Sequence, residues 1–279
     1  ILFSSVLFSE KIDPEELALH HFMQGQFLMN QGNYALAILE FQDAIMIDPN
    51  ISTIHLSMAD AYRRLGKFKR AEEHLLISLE LDPKEIETLE MLGQLFISKK
   101  DYQEAQDIFI KLKALDPDNL DYIFALADLS QIQKKWDLAI DYYIEGYQIN
   151  NLAINGLEQA LQIALTTSKF NRAQEICELL IEEDRTNIKL LETMKDLSIF
   201  NKNYNSALDI LEKLEQLEGY TPEIAIQKSA IFEELNQSDI ALDIMLEVVK
   251  KDSHNLDILN RLVTLLINQD KNEDAIFYN

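Results

Sequence analysis

The sequence predicts an all-α protein, and three observations support this prediction. The 279 residues contain only seven glycines and five prolines, so tight β-turns are rare and long helices are favoured. Apolar residues make up 47% of the chain and charged residues 26%, a balance that can bury a large core. The third observation is a 34-residue repeat that runs through almost the whole chain.

Alanines in constant phase define this repeat. Each one ends a similar short stretch, which reads GNYALA in the first copy, KDYQEA in the third and DKNEDA in the last. Eight alanines follow one another at intervals of 34 residues with no insertion between them, which chance would hardly produce. They are Ala37, Ala71, Ala105, Ala139, Ala173, Ala207, Ala241 and Ala275.

Other positions of the repeat keep a residue type in most copies. When each copy is numbered from residue 18, the alanine is position 20 and position 17 is aromatic in the first six copies, as at Tyr34. Position 24 is bulky and apolar, as at Phe41, and position 8 is small in the first four copies, as at Gly25. Position 32 is proline in the first three copies, as at Pro49.

The apolar residues of one copy form two stripes at helical spacing. In the third copy they include Leu89 and Leu92 in the first stripe and Phe109 and Leu112 in the second, which predicts a pair of helices per copy. The alanine at position 20 allows the two helices to approach closely, and a larger side chain would overpack the contact.

Aspartates precede the three repeated prolines. Asp48, Asp82 and Asp116 stand directly before Pro in the first three copies. Asp followed by Pro suits an N-cap and the first residue of a helix, so each pair predicts a helix start.

The repeat resembles the tetratricopeptide repeat family. This resemblance covers residues 18–279 and implies an all-α, right-handed α-solenoid of helix-turn-helix repeats, a TPR-like superhelix. Eight repeats would start at residues 18, 52, 86, 120, 154, 188, 222 and 256, with the last one truncated. Residues 1–17 would form a separate N-terminal segment. Larger residues at position 8, such as Leu161 and Lys195, predict looser or differently angled helix packing in repeats five to eight.

The N-terminal segment leaves the compartment open. Its apolar start, ILFSSVLF, is too short to span a bilayer. It fits the remnant of a signal peptide ending near Ser9, the last turns of an earlier repeat, or a capping helix. The first interpretation would place the protein in the periplasm or outside the cell, and the others favour the cytoplasm.

Charge and cysteine content exclude several classes of protein. The formal net charge is -23, which repels phosphate backbones and argues against a nucleic-acid partner. One cysteine, Cys177, excludes an internal disulfide framework and a multi-cysteine metal site. Since Cys177 occupies the apolar position 24, we expect it to be a buried filler rather than a reactive thiol.

No set of residues in the sequence predicts catalysis. There is no Gly-rich phosphate loop, no nucleophile elbow and no zinc-protease helix motif. His21 and His55 both occupy position 4, a packing site, and His20 points about 100° away from His21 on a helix. His74 and His254 are isolated in the sequence. We therefore expect a protein that is not an enzyme, with no cofactor and no metal.

The resemblance implies that the first helices line a concave groove, with positions 2, 5, 9, 12 and 13 facing a ligand. These positions carry twelve acids and only three bases, Arg63, Arg64 and Lys189. They indicate either a solvated face of an acidic chain or a surface for a basic segment, with apolar contacts at residues such as Leu19 and Met23. The candidate partner-binding residues are Phe22, Gln26, Leu56, Asp60, Glu87, Glu90, Asp121, Phe124, Asp128, Glu158, Glu192 and Asp196.

The leading functional hypothesis is a non-enzymatic scaffold or adaptor that binds a protein or peptide in this acidic groove, with a basic segment as the candidate ligand. The alternative is the substrate-recruiting arm of a larger enzyme, such as a transferase, whose catalytic domain lies outside this chain. Ile276 and Phe277 have no following helix in the sequence, so self-association through this end is also predicted.

Overall fold

The structure is a computed structural model that describes residues 13–278. Within this range the chain forms sixteen α-helices and no β-strand, which confirms the all-α prediction. Of the N-terminal segment predicted for residues 1–17, the first twelve residues lie outside the described range, and the first helix begins at Pro14. The chain divides into two compact units, residues 1–142 and 143–279.

Helices of the first unit follow one another with short turns between them, and neighbouring helices from α1 to α7 are in contact. Helices α3, α5 and α7 begin at residues 52, 86 and 120, so the helix period equals the 34-residue sequence period. The helices are α1 (Pro14–Asn30), α2 (Tyr34–Ile47), α3 (Ser52–Arg64), α4 (Phe68–Leu81), α5 (Ile86–Lys99), α6 (Tyr102–Leu115), α7 (Leu120–Ile132) and α8 (Trp136–Ile149), in which the border between the units falls.

The second unit repeats the same arrangement, with contacts between neighbouring helices from α9 to α16. Its first helices begin at residues 154, 188, 222 and 256. The helices are α9 (Ile154–Thr166), α10 (Phe170–Glu183), α11 (Ile188–Phe200), α12 (Tyr204–Glu218), α13 (Pro222–Glu234), α14 (Ser238–Lys251), α15 (Leu256–Asn268) and α16 (Asn272–Tyr278).

The repeated alanines lie in the core. All eight position-20 alanines are buried, and the most accessible of them, Ala275, is 5% exposed. The two helices of the first copy approach closely at Gly25, which occupies position 8. A Cβ atom added at Gly25 would lie 2.4 Å from the Phe41 ring, so only glycine lets α1 and α2 meet in this way. The prediction of close helix contacts is therefore confirmed.

The prediction that Asp48, Asp82 and Asp116 are N-caps was wrong. Each of these residues ends a helix, with an N–H group that donates to a carbonyl of the last turn. The carboxylate of Asp48 accepts a hydrogen bond from the amide of Asn50 at 3.0 Å, forming an Asx-turn, and α3 begins only at Ser52. Pro49 therefore lies in the turn, where its fixed φ favours a bend and its missing N–H is not needed.

Candidate partner-binding surface

The first helices of the hairpins carry the residues that the sequence assigned to a partner. In the first unit these are α1, α3, α5 and α7, and in the second α9, α11, α13 and α15. We call their exposed residues at repeat positions 2, 5, 9, 12 and 13 the first-helix surface of each unit. In the first unit Glu87, Asp121 and Asp128 are exposed there, whereas Phe22 and Phe124 are half-buried.

Leu56 has to be removed from the predicted set. Its side chain is only 4% exposed and belongs to a core cluster with Leu75 and Leu89. It occupies position 5, yet in this copy it lies in the core rather than toward solvent. A residue this buried stabilises the hairpin and offers almost no area to a partner.

Two of the predicted polar residues are already engaged by neighbours on α3. The Asp60 carboxylate accepts from Arg63 at 2.6 Å and from Arg64 at 2.8 Å, and the Arg64 guanidinium also lies over the Tyr34 ring. Gln26 donates to the Ser57 hydroxyl at 2.6 Å. Asp60 therefore adds little net negative charge to the surface, because two cations surround it.

Glu90 is engaged as well, across the contact between α5 and α7. Its carboxylate accepts a hydrogen bond of 2.5 Å from the Tyr122 hydroxyl. Burial and the adjacent carboxylate raise the pKa of Tyr122 to about 12, so the phenol stays protonated and keeps donating. The role that the structure supports for Glu90 is to join two first helices rather than to meet a partner with a free charge.

Some of the exposed acids have a local structural reason. Glu87 and Asp121 lie in the first turns of α5 and α7, and Glu223 and Asp257 lie in the first turns of α13 and α15. Carboxylates are favourable at helix N-termini because they face the positive end of the helix dipole. Helix stability therefore accounts for part of the acidic excess that the sequence shows.

In the second unit the three predicted acids are all exposed. Glu158 borders a cleft of about 340 Å³ whose wall includes Leu161 and Lys189, and Glu192 and Asp196 lie on α11. The Asp196 carboxylate is 3.3 Å from the ammonium of Lys195, which is itself buried.

The histidines form pairs that the sequence did not indicate. His21 lies with its Nδ1 atom 2.8 Å from the Glu40 carboxylate. His55 is buried and its Nδ1 atom is 3.1 Å from Nδ1 of His74, so the description of His74 as isolated was wrong. Burial is the main reason that the pKa of His74 falls to about 4, with a smaller contribution from His55.

Cys177 behaves as the sequence predicts. Its side chain is fully buried on α10, and the burial raises the pKa of the thiol to about 12. A thiol with so high a pKa forms little of the nucleophilic thiolate at neutral pH.

Within residues 13–278, no helix combines the length and the apolar character that crossing a bilayer requires.

Comparison with known proteins agrees with the geometry. Two family models described as "Tetratricopeptide repeat" match residues 21–51 and 56–119. The chain is a tetratricopeptide repeat protein. Proteins of this family are generally non-catalytic scaffolds that bind proteins or peptides.

The similarities cover different shares of the TPR chain. It is 29% identical to Tetratricopeptide repeat protein 37 of Xenopus laevis, over 29% of this chain and 5% of that protein. It is 23% identical to General transcription factor 3C polypeptide 3 of Homo sapiens, over 90% of this chain and 31% of that protein. The TPR chain thus spans less than a third of the length of either relative.

A solved structure shares the fold. The crystal structure of a tetratricopeptide repeat protein from Parabacteroides merdae matches with a TM-score of 0.51 and 14% identity, covering 90% of this chain and 99% of that one.

An apolar stripe on α1 of the TPR chain extends the predicted surface. Leu19, Met23 and Phe27 are 56%, 62% and 56% exposed and follow one another at intervals of four residues. Leu19 also lines a cleft of about 420 Å³, together with Phe22 and Glu15. Phe27 was missed because it stands at position 10, outside the positions that the resemblance assigns, although its spacing from Leu19 would have indicated it.

Proposed function

We propose that this TPR protein is a non-enzymatic scaffold that binds a basic segment of a partner protein along its first-helix surfaces. The observation that carries the proposal is the imbalance of exposed charge at these positions. Glu87 and Asp121 are exposed in the first unit, where Arg63 and Arg64 are both engaged by Asp60. A Lys- or Arg-bearing segment would relieve the repulsion between the carboxylates.

The second unit supports the same proposal. Glu158 and Glu192 are exposed there, whereas Asp196 is paired with Lys195, and Lys189 is the exposed base among the described residues at these positions. Rim charges of this kind mainly set the association rate and the choice of partner, so binding should weaken as salt rises. The apolar stripe of α1 would add affinity through burial of Leu19 and Met23, at about 25 cal/mol per Å² of apolar area.

The proposal is tested by selecting random twelve-residue peptides displayed on phage against the full chain. We expect the selected peptides to be enriched in Lys and Arg and to bind several-fold more weakly at 0.5 M than at 0.05 M salt. The variant Glu87→Gln/Asp121→Asn/Asp128→Asn should lose most of this binding. Its control is Glu80→Gln/Glu104→Gln/Asp118→Asn, which removes the same charge from exposed residues outside the first-helix surface and should bind normally.

The control is matched in charge and, for one of the two first-turn acids, in helix position. Glu104 lies in the first turn of α6, as Glu87 lies in the first turn of α5, so both variants lose a favourable helix-dipole contact. Peptides without a basic bias, or equal binding by both variants, would contradict the basic partner. A scaffold that recognises apolar segments through α1 would then remain.

We also propose that the TPR chain associates with itself through α16. Ile276 and Phe277 are 77% and 81% exposed and stand side by side in the chain. Exposed apolar patches often mark protein contacts. Sedimentation velocity should show a concentration-dependent dimer that Phe277→Asp abolishes, and a wild-type chain that stays monomeric at high concentration would rule this contact out.

A further inference from the structure

The first hairpin contains a group of metal-ligating atoms that the scaffold role does not use. His21 on α1 faces Glu40 and Asp43 on α2, and the three ligand atoms all lie within 4.8 Å of one another. The His21 Nδ1 atom is already 2.8 Å from a Glu40 carboxylate oxygen. We propose that these three residues bind a divalent transition-metal ion, with Zn²⁺ as the best fit.

The ligands are held by a rigid pair of helices. Gly25 lies one turn after His21, and a Cβ atom there would be 2.4 Å from the ring of Phe41, the residue next to Glu40. This contact fixes how closely α1 approaches α2 and therefore the distance between the imidazole and the carboxylate. Glu40 and Asp43 are three residues apart on α2, which places them on the same helix face.

The geometry suits zinc with small side-chain adjustments. Zn²⁺ binds imidazole nitrogen and carboxylate oxygen at about 2.0–2.2 Å in a tetrahedron, which separates ligand atoms by roughly 3.4 Å. The His21–Glu40 pair has to open slightly and the most distant pair has to close, both within reach of side-chain rotation. His21 and Glu40 are 25% and 30% exposed, so the ion and a water molecule as fourth ligand can enter.

The ligand types decide which ions compete. An imidazole nitrogen beside two carboxylates favours zinc and its transition-metal neighbours, whereas Ca²⁺ requires six to eight oxygen ligands. The imidazole also distinguishes this cluster from an ordinary acidic patch. His20 does not contribute, because adjacent residues of a helix point about 100° apart.

The equivalent place in the second hairpin explains why only the first would bind. There His55 and His74 occupy the positions of His21 and Glu40, but their Nδ1 atoms lie 3.1 Å apart and His55 also contacts the Pro49 carbonyl. The residue equivalent to Asp43 is Ile77, which supplies no ligand. From the third hairpin on, the two positions are apolar, as at Leu89 and Ile108.

The test is a calorimetric titration of the full chain with Zn²⁺ after removal of any affinity tag and of bound metal. We expect one ion per chain, little competition from excess Ca²⁺, and an affinity at least tenfold weaker in each of His21→Ala and Asp43→Ala. His254→Ala, which removes an exposed histidine of the second unit, should bind zinc as the wild type does. Co²⁺ bound at the same place should show the visible absorption of tetrahedral coordination, which His21→Ala abolishes.

Asp43→Ala keeps the test decisive if His21→Ala disturbs the hairpin. Both variants are checked by circular dichroism, and a folded Asp43→Ala chain with weakened zinc binding supports the site. Equal zinc affinity in the wild type, His21→Ala and Asp43→Ala would overturn it, as would the absence of binding. Neither result bears on the proposed partner binding, which uses other residues.

Discussion

The early and late hairpins fill the space between their helices in opposite ways. In the first hairpin Gly25 at position 8 leaves room for the large ring of Phe41 at position 24. In the second unit, position 8 carries Leu161 and position 24 carries Cys177, and both are buried. The hairpin therefore keeps its interior filled while the residues that fill it change, as close-packed cores require.

A second difference concerns positions 4 and 23, which also lie between the helices. In the first two hairpins these positions hold hydrogen-bonded titratable pairs, including His55 with His74. In the third hairpin they hold Leu89 and Ile108, both buried. The histidine pair therefore gives the second hairpin a sensitivity to pH that an apolar contact does not have, and the first hairpin carries the proposed zinc site instead.

The largest effect should come from emptying position 24 of the first hairpin. Phe41→Ala removes a fully buried ring opposite a glycine that cannot fill the space, so we expect a loss of about 3–5 kcal/mol in the free energy of unfolding. Urea unfolding followed by circular dichroism measures it, and hydrogen exchange should place the loss in α1 and α2. Phe68→Ala, at a phenylalanine that is 50% exposed, is the control and should change little.

The next effect should come from filling position 8. Gly25→Ala places a methyl group 2.4 Å from the Phe41 ring and should cost about 1–3 kcal/mol through overpacking. Gly93→Ala, where the nearest ring atom is 3.0 Å away, should be near neutral, because a better helix propensity offsets the tighter contact by about 1 kcal/mol. Equal stabilities of the two variants in urea would show that the glycines do not limit helix approach.

Most of the fold follows from the sequence because its signal is repeated. The phase of alanines such as Ala37 marks helix contacts in every copy, and each second helix begins three residues before the alanine. The aspartates were misread because Asp before Pro fits both a helix start and a turn, and only the backbone of Asp48 shows which one occurs. The period fixes where helices lie and not how each turn is closed.

Less of the candidate surface could be predicted, because its properties depend on pairs of residues far apart in the sequence. Repeat position alone could not show that the Tyr122 hydroxyl donates a hydrogen bond to Glu90. Nor could it show that Lys228, at position 7 of its repeat, donates to the Glu215 carboxylate at 2.6 Å. The two-histidine contact spans nineteen residues and would have required comparing positions 4 and 23 within one copy. The prediction that Leu56 contacts a partner was wrong for a related reason, since position 5 faces solvent in some copies and the core in this one.

The histidine pair should make the second hairpin less stable in acid. Because the pKa of His74 is lowered to about 4, the unfolded chain takes up a proton below pH 6.5 that the folded chain does not take up until about pH 4. The free energy of unfolding should therefore fall as the pH drops through this window, by less than about 1.4 kcal/mol per pH unit for one proton.

A double variant separates the pH dependence that comes from the histidine pair from the pH dependence that comes from the carboxylates. His55→Leu/His74→Ile copies the apolar pair Leu89 and Ile108, and its urea midpoint should change less than that of the wild type between pH 7 and pH 5. If the midpoints of both proteins change equally, the histidine pair is not the source of the pH dependence.

The smallest change in the free energy of unfolding should be found at Cys177. This residue also reports how tightly the helices of a late hairpin pack. The larger residue at position 8 predicts looser helices in the second unit, yet Cys177 is fully buried and its thiol has a pKa of about 12. At pH 8 a pKa of 12 leaves roughly one thiol in ten thousand ionised, so a disulfide reagent should modify the native chain far more slowly than the urea-unfolded chain.

Cys177→Ala should cost only about 1 kcal/mol, because it removes a single sulfur atom and neighbouring side chains can close most of the space. The modification rate in native buffer and the urea midpoint of the variant measure the two quantities. A native thiol that reacts as fast as the unfolded one would mean that α9 and α10 separate readily, and filled volume would then not be conserved between the early and late hairpins.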